Sequence, residues 1–275
     1  MKITASDVNK LRQTTGAGMM DCKKALVEAE GDFDAAIDIL RKKGQKVAAK
    51  RSDRDATEGL VLAKANADST TGAVIVLNCE TDFVARNADF GAVADAILNT
   101  AVAEKPANLD ALLGMTYPGS SLTIADKLTE ETGKIGEKIE LSAMETIDAG
   151  QVVAYNHPGN QLAALVGFNN QTGDDVAKDV AMQVAAMAPV GVDEDSVPAD
   201  VVAKELEIGK ELAIQEGKPA EMAEKIAQGR LKKFFKESTL LAQPFIKDNK
   251  KSIKQYLSEN GEGLTVTEFR RFSLN

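Results

Sequence analysis

Apolar positions along this chain come in short periods, and the period changes type at well-marked breaks. Up to residue 44 the spacing is helical. Thr4 followed by Asp7 predicts a capping-box start, with Val8 and Leu11 on one face until Gly16-Ala17-Gly18 stops the helix. Met19 and Met20 open a second helix carrying Ala25, Leu26 and Ala29, ended by Gly31. Asp32 caps a third, with Phe33, Ala36, Ile37 and Leu40 as its apolar stripe and Gly44 as its stop. A bundle this small has little apolar surface to bury and would be marginally stable alone.

Beyond residue 57 strands enter. Gly59 to Ala65 and Ala73 to Cys79 read as a hairpin, the second arm (Val74, Ile75, Val76, Leu77) as a buried strand. Phe90, Val93, Ala94, Ile97, Leu98 and Val102 then recur at helical spacing until Pro106, and Asn108 to Met115 predicts a shorter helix. Ser121 caps a further helix to Gly136, with Ile124, Leu128 and Ile135 on one face, and Lys138 to Ile147 alternates as a strand. The pattern returns in Val152 to Tyr155 and Gln161 to Phe168, strands around a His157-Pro158-Gly159 turn. A helix follows from Asp174 to Ala188 with Val176, Val180, Val184 and Met187 inward. Strand, loop, Ala-rich helix and a closing proline (Pro106, then Pro189) make a degenerate duplication.

Pro198 to Glu216 and Pro219 to Phe235 predict two helices joined by Gly217-Lys218, glycine stopping one and proline starting the next. Their apolar positions are sparse: Val202, Leu206, Leu212 and Ala213 against Met222, Ile226 and Leu231. An antiparallel hairpin with arms of roughly 25 Å, protruding from the body and mostly wet, fits that pattern. Ser252 to Glu259 reads as a short helix, and Leu264 to Phe272 as a strand returning to the second sheet. The fold class expected is therefore α+β. A three-helix module and linker covers residues 1–54 and a first core subdomain residues 55–148. A second, related antiparallel-sheet/helix subdomain covers 149–190 and 239–275, with the helical hairpin inserted at 191–238.

Composition narrows the chemistry. A net charge of −9 opposes a general nucleic-acid binder, which needs a dense basic face. The basic run from Arg41 to Arg54 (Arg41, Lys42, Lys43, Lys46, Lys50, Arg51, Arg54) reads as a solvated linker. With Lys232, Lys233 and Lys236 it leaves an RNA- or ribosome-associated adaptor as the alternative class. Cys22 and Cys79 lack metal-type spacing and read as reduced thiols. No apolar leader or membrane-length run occurs in the sequence, so a soluble, cytoplasmic protein is expected. The single histidine, His157, has no nucleophile at motif spacing, and no glycine pattern matches a phosphate loop. Neither enzyme chemistry nor a cofactor is indicated. Two features lean toward contact. Met19, Met20 and Lys23 suit either a core or an adaptable surface. Thr81-Asp82-Phe83 lies between strand and helix, where Asp82 can cap the helix and Phe83 either tucks beneath it or points out as a wedge.

LRQTTGAGMMDCKKAL (residues 11–26), TDFVARN (81–87), KIGEKI (134–139) and AQPFIKD (242–248) resemble, in that order, segments of the bacterial translation elongation factor Ts family. The resemblance implies a non-enzymatic guanine-nucleotide exchange factor. It would bind elongation factor Tu, GDP-bound or nucleotide-free, disturb its Mg²⁺ and phosphate site and release GDP, with no nucleotide, nucleic acid or membrane bound directly. It implies an exchange wedge at Thr81, Asp82, Phe83 and Val84, and a UBA-like N-terminal module meeting the GTPase domain through Leu11, Met19, Met20 and Lys23. Ile135 and Gly136 would support the wedge, His157 would lie near the partner-binding face, and Ile246 with Lys247 would meet a β-domain of the partner. The inserted hairpin takes the place of the family's coiled coil. Departures are Lys138 where asparagine is usual, Pro158 in the histidine loop, and an end at Asn275 where many members continue into a helical segment. That ending would place more weight on the other contacts.

Overall fold

The computed structural model describes residues 3–274, with Ala220 described by its backbone alone. They form a mixed α+β protein of two compact units: residues 3–60, 75–144 and 274, and residues 61–74 and 145–273. The first begins with three helices, α1 (Ala5–Thr15), α2 (Met19–Glu28) and α3 (Phe33–Arg51). Thr4 and Asp7 complete the capping box, and Gly16 closes α1 in the left-handed region at φ 67°. Val8, Leu11, Cys22, Ala25, Leu26 and Ala36 pack as the small core.

The third helix is longer than its sequence suggests. Gly44 does not stop it; the helix runs on to Arg51, and Gly44 is buried inside it. The reason lies in α7. After strands β1 (Glu58–Ala65) and β2 (Thr71–Cys79) come helices α4 (Asp82–Ala85), α5 (Ala88–Glu104), α6 (Leu109–Leu113) and α7 (Ile124–Ile135), then strand β3 (Glu140–Asp148). A Cβ on Gly133 of α7 would lie 2.3 Å from the Gly44 Cα. The two glycines thus let α3 and α7 touch backbone to backbone, and that contact outweighs the roughly 1 kcal/mol glycine costs in a helix interior. The basic run is correspondingly no free linker. Lys43 pairs with Asp21, Arg41 approaches Asp38 at 3.9 Å and Arg51 meets Glu80 at 2.8 Å. Two caps also differ from expectation. Thr123, not Ser121, caps α7, and Asn87, not Asp82, caps α5.

Strands β1, β2 and β3 form a three-stranded sheet in that order, with every residue of β2 buried. In the second unit, β4 (Gln151–Asn156), β5 (Leu162–Phe168) and, later, β8 (Val266–Ser273) form an antiparallel sheet, order β4-β5-β8. Helix α8 (Asp174–Met187) lies on it, burying Val180, Ala181 and Val184 against Val166 and Phe168. Helices α9 (Ala199–Gln215) and α10 (Ala220–Ser238) follow, then a two-stranded ribbon, β6 (Pro244–Phe245) with β7 (Asp248–Ser252), and helix α11 (Ile253–Asn260). Helices α9 and α10 pack on small residues: Gly209 and Ala213 are buried with Ala223 and Ala227, while Leu212 and Met222 stay exposed. A Cβ on Gly209 would come 3.1 Å from the Ala227 Cα, so the two helices approach closely there, while Val202, Leu206, Ile226 and Leu231 of the expected seam are half-buried.

Candidate functional site

The first unit presents one sharply exposed aromatic. β2 ends at Cys79, and the backbone turns through Glu80 and Thr81 into the one-turn helix α4. Phe83 sits on that turn and is 84% exposed, while Phe90, just beyond, is fully buried. Between the two orientations open to Phe83 in the sequence, the outward one holds. Asp82 lies beside it and pairs with Arg86 at 3.0 Å, a partly exposed (i, i+4) contact. Val84 is half-buried.

The turn is held from outside. Thr81 stands at the N-cap position of α4, yet its side chain makes no capping bond. Instead its hydroxyl donates to Glu137 Oε1 at 2.9 Å and its backbone N–H to Glu137 Oε2 at 3.0 Å. The bond runs the other way one residue earlier. Glu80 Oε1 accepts the Lys138 backbone N–H at 2.6 Å, and both Glu80 oxygens accept from Arg51 Nη1. The Lys138 N–H, with Arg51 second, holds the Glu80 carboxyl below its ordinary value near 4.5 despite partial desolvation. Because the clamp uses only the backbone of Lys138, whose side chain pairs with Glu140, its departure from asparagine leaves the clamp intact. Ile135 and Gly136, both half-buried, end α7 immediately before Glu137, Gly136 at φ 84°. Burial first, then the nearby Glu137 charge, pushes the Cys79 thiol up to about 12, so it stays protonated and inert at neutral pH.

The N-terminal helices carry a second exposed apolar group in this unit. Met19 is 53% and Met20 61% exposed, Val27 is exposed one face further along α2, and Lys23 lies on the same outer surface. The methionines therefore belong to the surface. Leu11 does not: it is fully buried in the bundle core and acts by supporting α2.

In the second unit, His157 begins an exposed turn completed by Gly159 at φ 92° and Asn160 at φ 55°. Its Nδ1 meets the Tyr155 hydroxyl at 3.1 Å. The neighbouring Asn156 side chain fixes the strand end, its Oδ1 accepting from Ala63 N at 2.7 Å and its Nδ2 donating to Ala63 O at 2.9 Å. Ile246 and Lys247 form the tip of the β6–β7 ribbon, Ile246 42% exposed and Lys247 paired with Asp179 at 2.6 Å. Beneath them Gln183, wholly buried, accepts the Ile246 N–H at 2.9 Å and donates to Gln243 Oε1 at 3.1 Å. Glu80, Glu137, Gln183 and Asn156 are the residues that reading the sequence missed. The only signal for the first two was a carboxylate directly flanking each of two motifs, ETDF and IGEK. Among the described residues, no cluster of histidine, cysteine and acidic side chains could hold a metal ion, and no helix is long and apolar enough to cross a membrane.

A family model described as "Elongation factor TS" matches residues 80–275. Curated relatives named elongation factor Ts align along essentially the whole chain. That of Amoebophilus asiaticus is 55% identical over 274 residues, 98% of each chain. That of Christiangramia forsetii is 51% identical over 275 residues, 99% of each. The Porphyromonas gingivalis protein is 49% identical, covering 100% of this chain and 99% of its own.

Proposed function

The chain belongs to the elongation factor Ts family, and from that premise we propose how its exposed corner drives exchange. It is a nucleotide exchange factor for elongation factor Tu in translation elongation, not an enzyme, and it works in the cytoplasm with that partner. The wedge is Thr81-Asp82-Phe83-Val84. Phe83 enters an apolar cleft of the GTPase, and Asp82 brings a negative charge beside it. Moving the ring out of water contributes about 2–3 kcal/mol, available only where the partner opens to admit it. Opening displaces the groups that hold Mg²⁺, the largest positive charge at the bound phosphates. Since coupling is reciprocal, a factor that weakens GDP binding is itself weakened by GDP, and so it leaves and cycles.

Met19, Met20 and Lys23, carried by a UBA-like module with Leu11 as its internal prop, add an adaptable docking face on the same GTPase domain. Ile135 and Gly136 support the wedge, while His157, Ile246 and Lys247 serve contacts made by the second unit. We read the sheet-and-helix parts of the chain as two related subdomains, and α9–α10 as a protruding coiled-coil insertion. The adaptor alternative is the weaker reading: Lys43 and Arg51 of its basic run pair with Asp21 and Glu80, and Lys233 stands by Glu237.

One observation carries the proposal: a large aromatic, 84% exposed, stands on a turn that the rest of its own unit holds in place. Stopped-flow release of fluorescent GDP from elongation factor Tu tests it. Phe83→Ala should lower the maximum accelerated rate by about tenfold or more, as the loss of 1.4 kcal/mol or more of differential binding requires. Asp82→Ala should lower it less. Folded variants that release GDP as fast as the parent would remove the wedge.

A further inference from the structure

The corner that carries Phe83 has few bonds of its own: backbone bonds from Ala85, Arg86 and Asn87 and the Asp82–Arg86 pair. α4 is a single turn, it lacks a side-chain cap, and none of its residues is buried. What fixes it is an exchange of carboxylates between two chain segments. Glu80, adjacent to Thr81, caps the backbone of Lys138; Glu137, adjacent to Lys138, caps the backbone and hydroxyl of Thr81. Each segment thus supplies the acceptor for the other. Arg51, the last residue of α3, binds both oxygens of Glu80 and balances one of the two negative charges brought together here. Through the Gly44–Gly133 contact, α3 is also seated against α7, the helix that leads into Glu137.

Resting on the reading of Phe83 as the wedge, we propose that Glu137, with Glu80 and Arg51, is a positioning residue for exchange: it presets the corner so that Phe83 enters the partner already ordered. A loop that must be ordered on binding subtracts its ordering cost from the interaction, and a preset one does not. The cost would fall on the step in which the ring is inserted. First encounter, made by exposed groups elsewhere such as Met19, Met20 and Lys23, does not depend on the clamp.

The prediction is therefore a split. In stopped-flow GDP release from elongation factor Tu, Glu137→Ala should lower the maximum rate by roughly fivefold to tenfold, the range expected for losing charge-assisted hydrogen bonds. The factor concentration giving half the maximum should stay within about twofold. Thr81→Val, which keeps shape and removes only the hydroxyl, should give a smaller fall of roughly threefold, and Thr81→Ser should restore the parent rate. Thr81→Val also serves if Glu137→Ala does not fold. Both variants are then placed in a Phe83→Ala background. A residue acting through Phe83 has nothing left to position there, so the rate should fall no further. Should Phe83→Ala slow release while Glu137→Ala and Thr81→Val do not, positioning fails and the wedge survives. An undiminished effect of either variant in the Phe83→Ala background would make Glu137 an independent contact and overturn the proposal. If Phe83→Ala itself is neutral, the wedge falls and positioning with it.

Discussion

The corner at Thr81–Val84 and the ribbon tip at Ile246–Lys247 meet the same structural problem in different ways. Each displays an apolar side chain on a very short element, a single helical turn at the first and the link between two short paired strands at the second. Each is capped by a side chain more than fifty residues away in sequence. At the first corner the capping groups are carboxylates, Glu137 on Thr81 and Glu80 on Lys138, both only partly buried and Glu80 balanced by Arg51. At the second the capping group is a neutral amide, Gln183, with no exposed surface, linked to a second buried amide, Gln243. Charge gives shorter bonds that stay affordable while partly hydrated; a neutral amide can be sealed beneath a core. The carboxylate caps are tunable by pH and salt, whereas the Gln183 cap carries no charge; at the second corner only the Lys247–Asp179 pair answers to salt.

Of the changes to the two corners, breaking the neutral cap should have the largest effect. Gln183→Ala would strand the Ile246 N–H, the Pro244 carbonyl and the Gln243 side-chain oxygen and leave a void where a wholly buried side chain stood. A loss of about 3 kcal/mol follows, measured by urea unfolding. The deficit should be the same at pH 5 and pH 8, since nothing that titrates is removed. A loss below about 1 kcal/mol would mean that water replaces the amide, and the contrast between the corners would weaken.

Next in size is the charged clamp. Glu80→Ala removes the acceptor for the Lys138 N–H and the partner of Arg51, and should destabilise the protein by about 1–2 kcal/mol at neutral pH, less in molar salt. Here pH matters, and its sign is fixed. The Glu80 carboxyl is held below its ordinary 4.5, chiefly by the Lys138 N–H and then by Arg51. Its contribution is therefore complete above about pH 4.5 and disappears as pH falls through the lower, folded value. Parent and Glu80→Ala should converge in stability on acidification, whereas parent and Gln183→Ala should stay apart. Parallel curves for the Glu80 pair would show that its charge is not what holds the corner.

This contrast also explains what the sequence could and could not reveal. Periodicity located nearly every helix and strand, because burial on one face leaves a repeat that any window detects. It could not decide between tucked and exposed for Phe83, since a single aromatic after a strand has no period. Nor could it separate the Gly44 that ends a helix from the Gly44 that lets one helix touch another, because that requires knowing that Gly133 lies opposite. Asp82 looked like a cap because acids usually cap; instead Asn87 caps α5, and Asp82 is left for Arg86. The family motifs led to Phe83 and Ile246, but Glu80 and Glu137, beside and within the matched segments, give no local sign of what they cap, and Gln183 lies deep in a helix that reads as ordinary amphipathic sequence. Capping bonds between distant segments carry no local signature.

The smallest expected effect is the sharpest test of what the first corner is for. Phe83→Ala should change stability by less than about 0.5 kcal/mol, the usual range for a surface side chain, because its ring is 84% exposed and gives the fold almost nothing. The same substitution at Phe90, which is buried, should cost about 3–5 kcal/mol. An exposed phenylalanine places a large apolar surface in water with little return in folding free energy, which leaves it free to be buried against a partner. Thermal unfolding of Phe83→Ala and Phe90→Ala beside the parent measures this directly. If the two lose comparable stability, the ring of Phe83 is packed in its own unit in solution, and a corner held open for a partner is the wrong description. If Phe83→Ala unfolds with the parent while exchange collapses, folding and function are separated within seven residues of one chain, at the boundary where Asn87 starts the next helix.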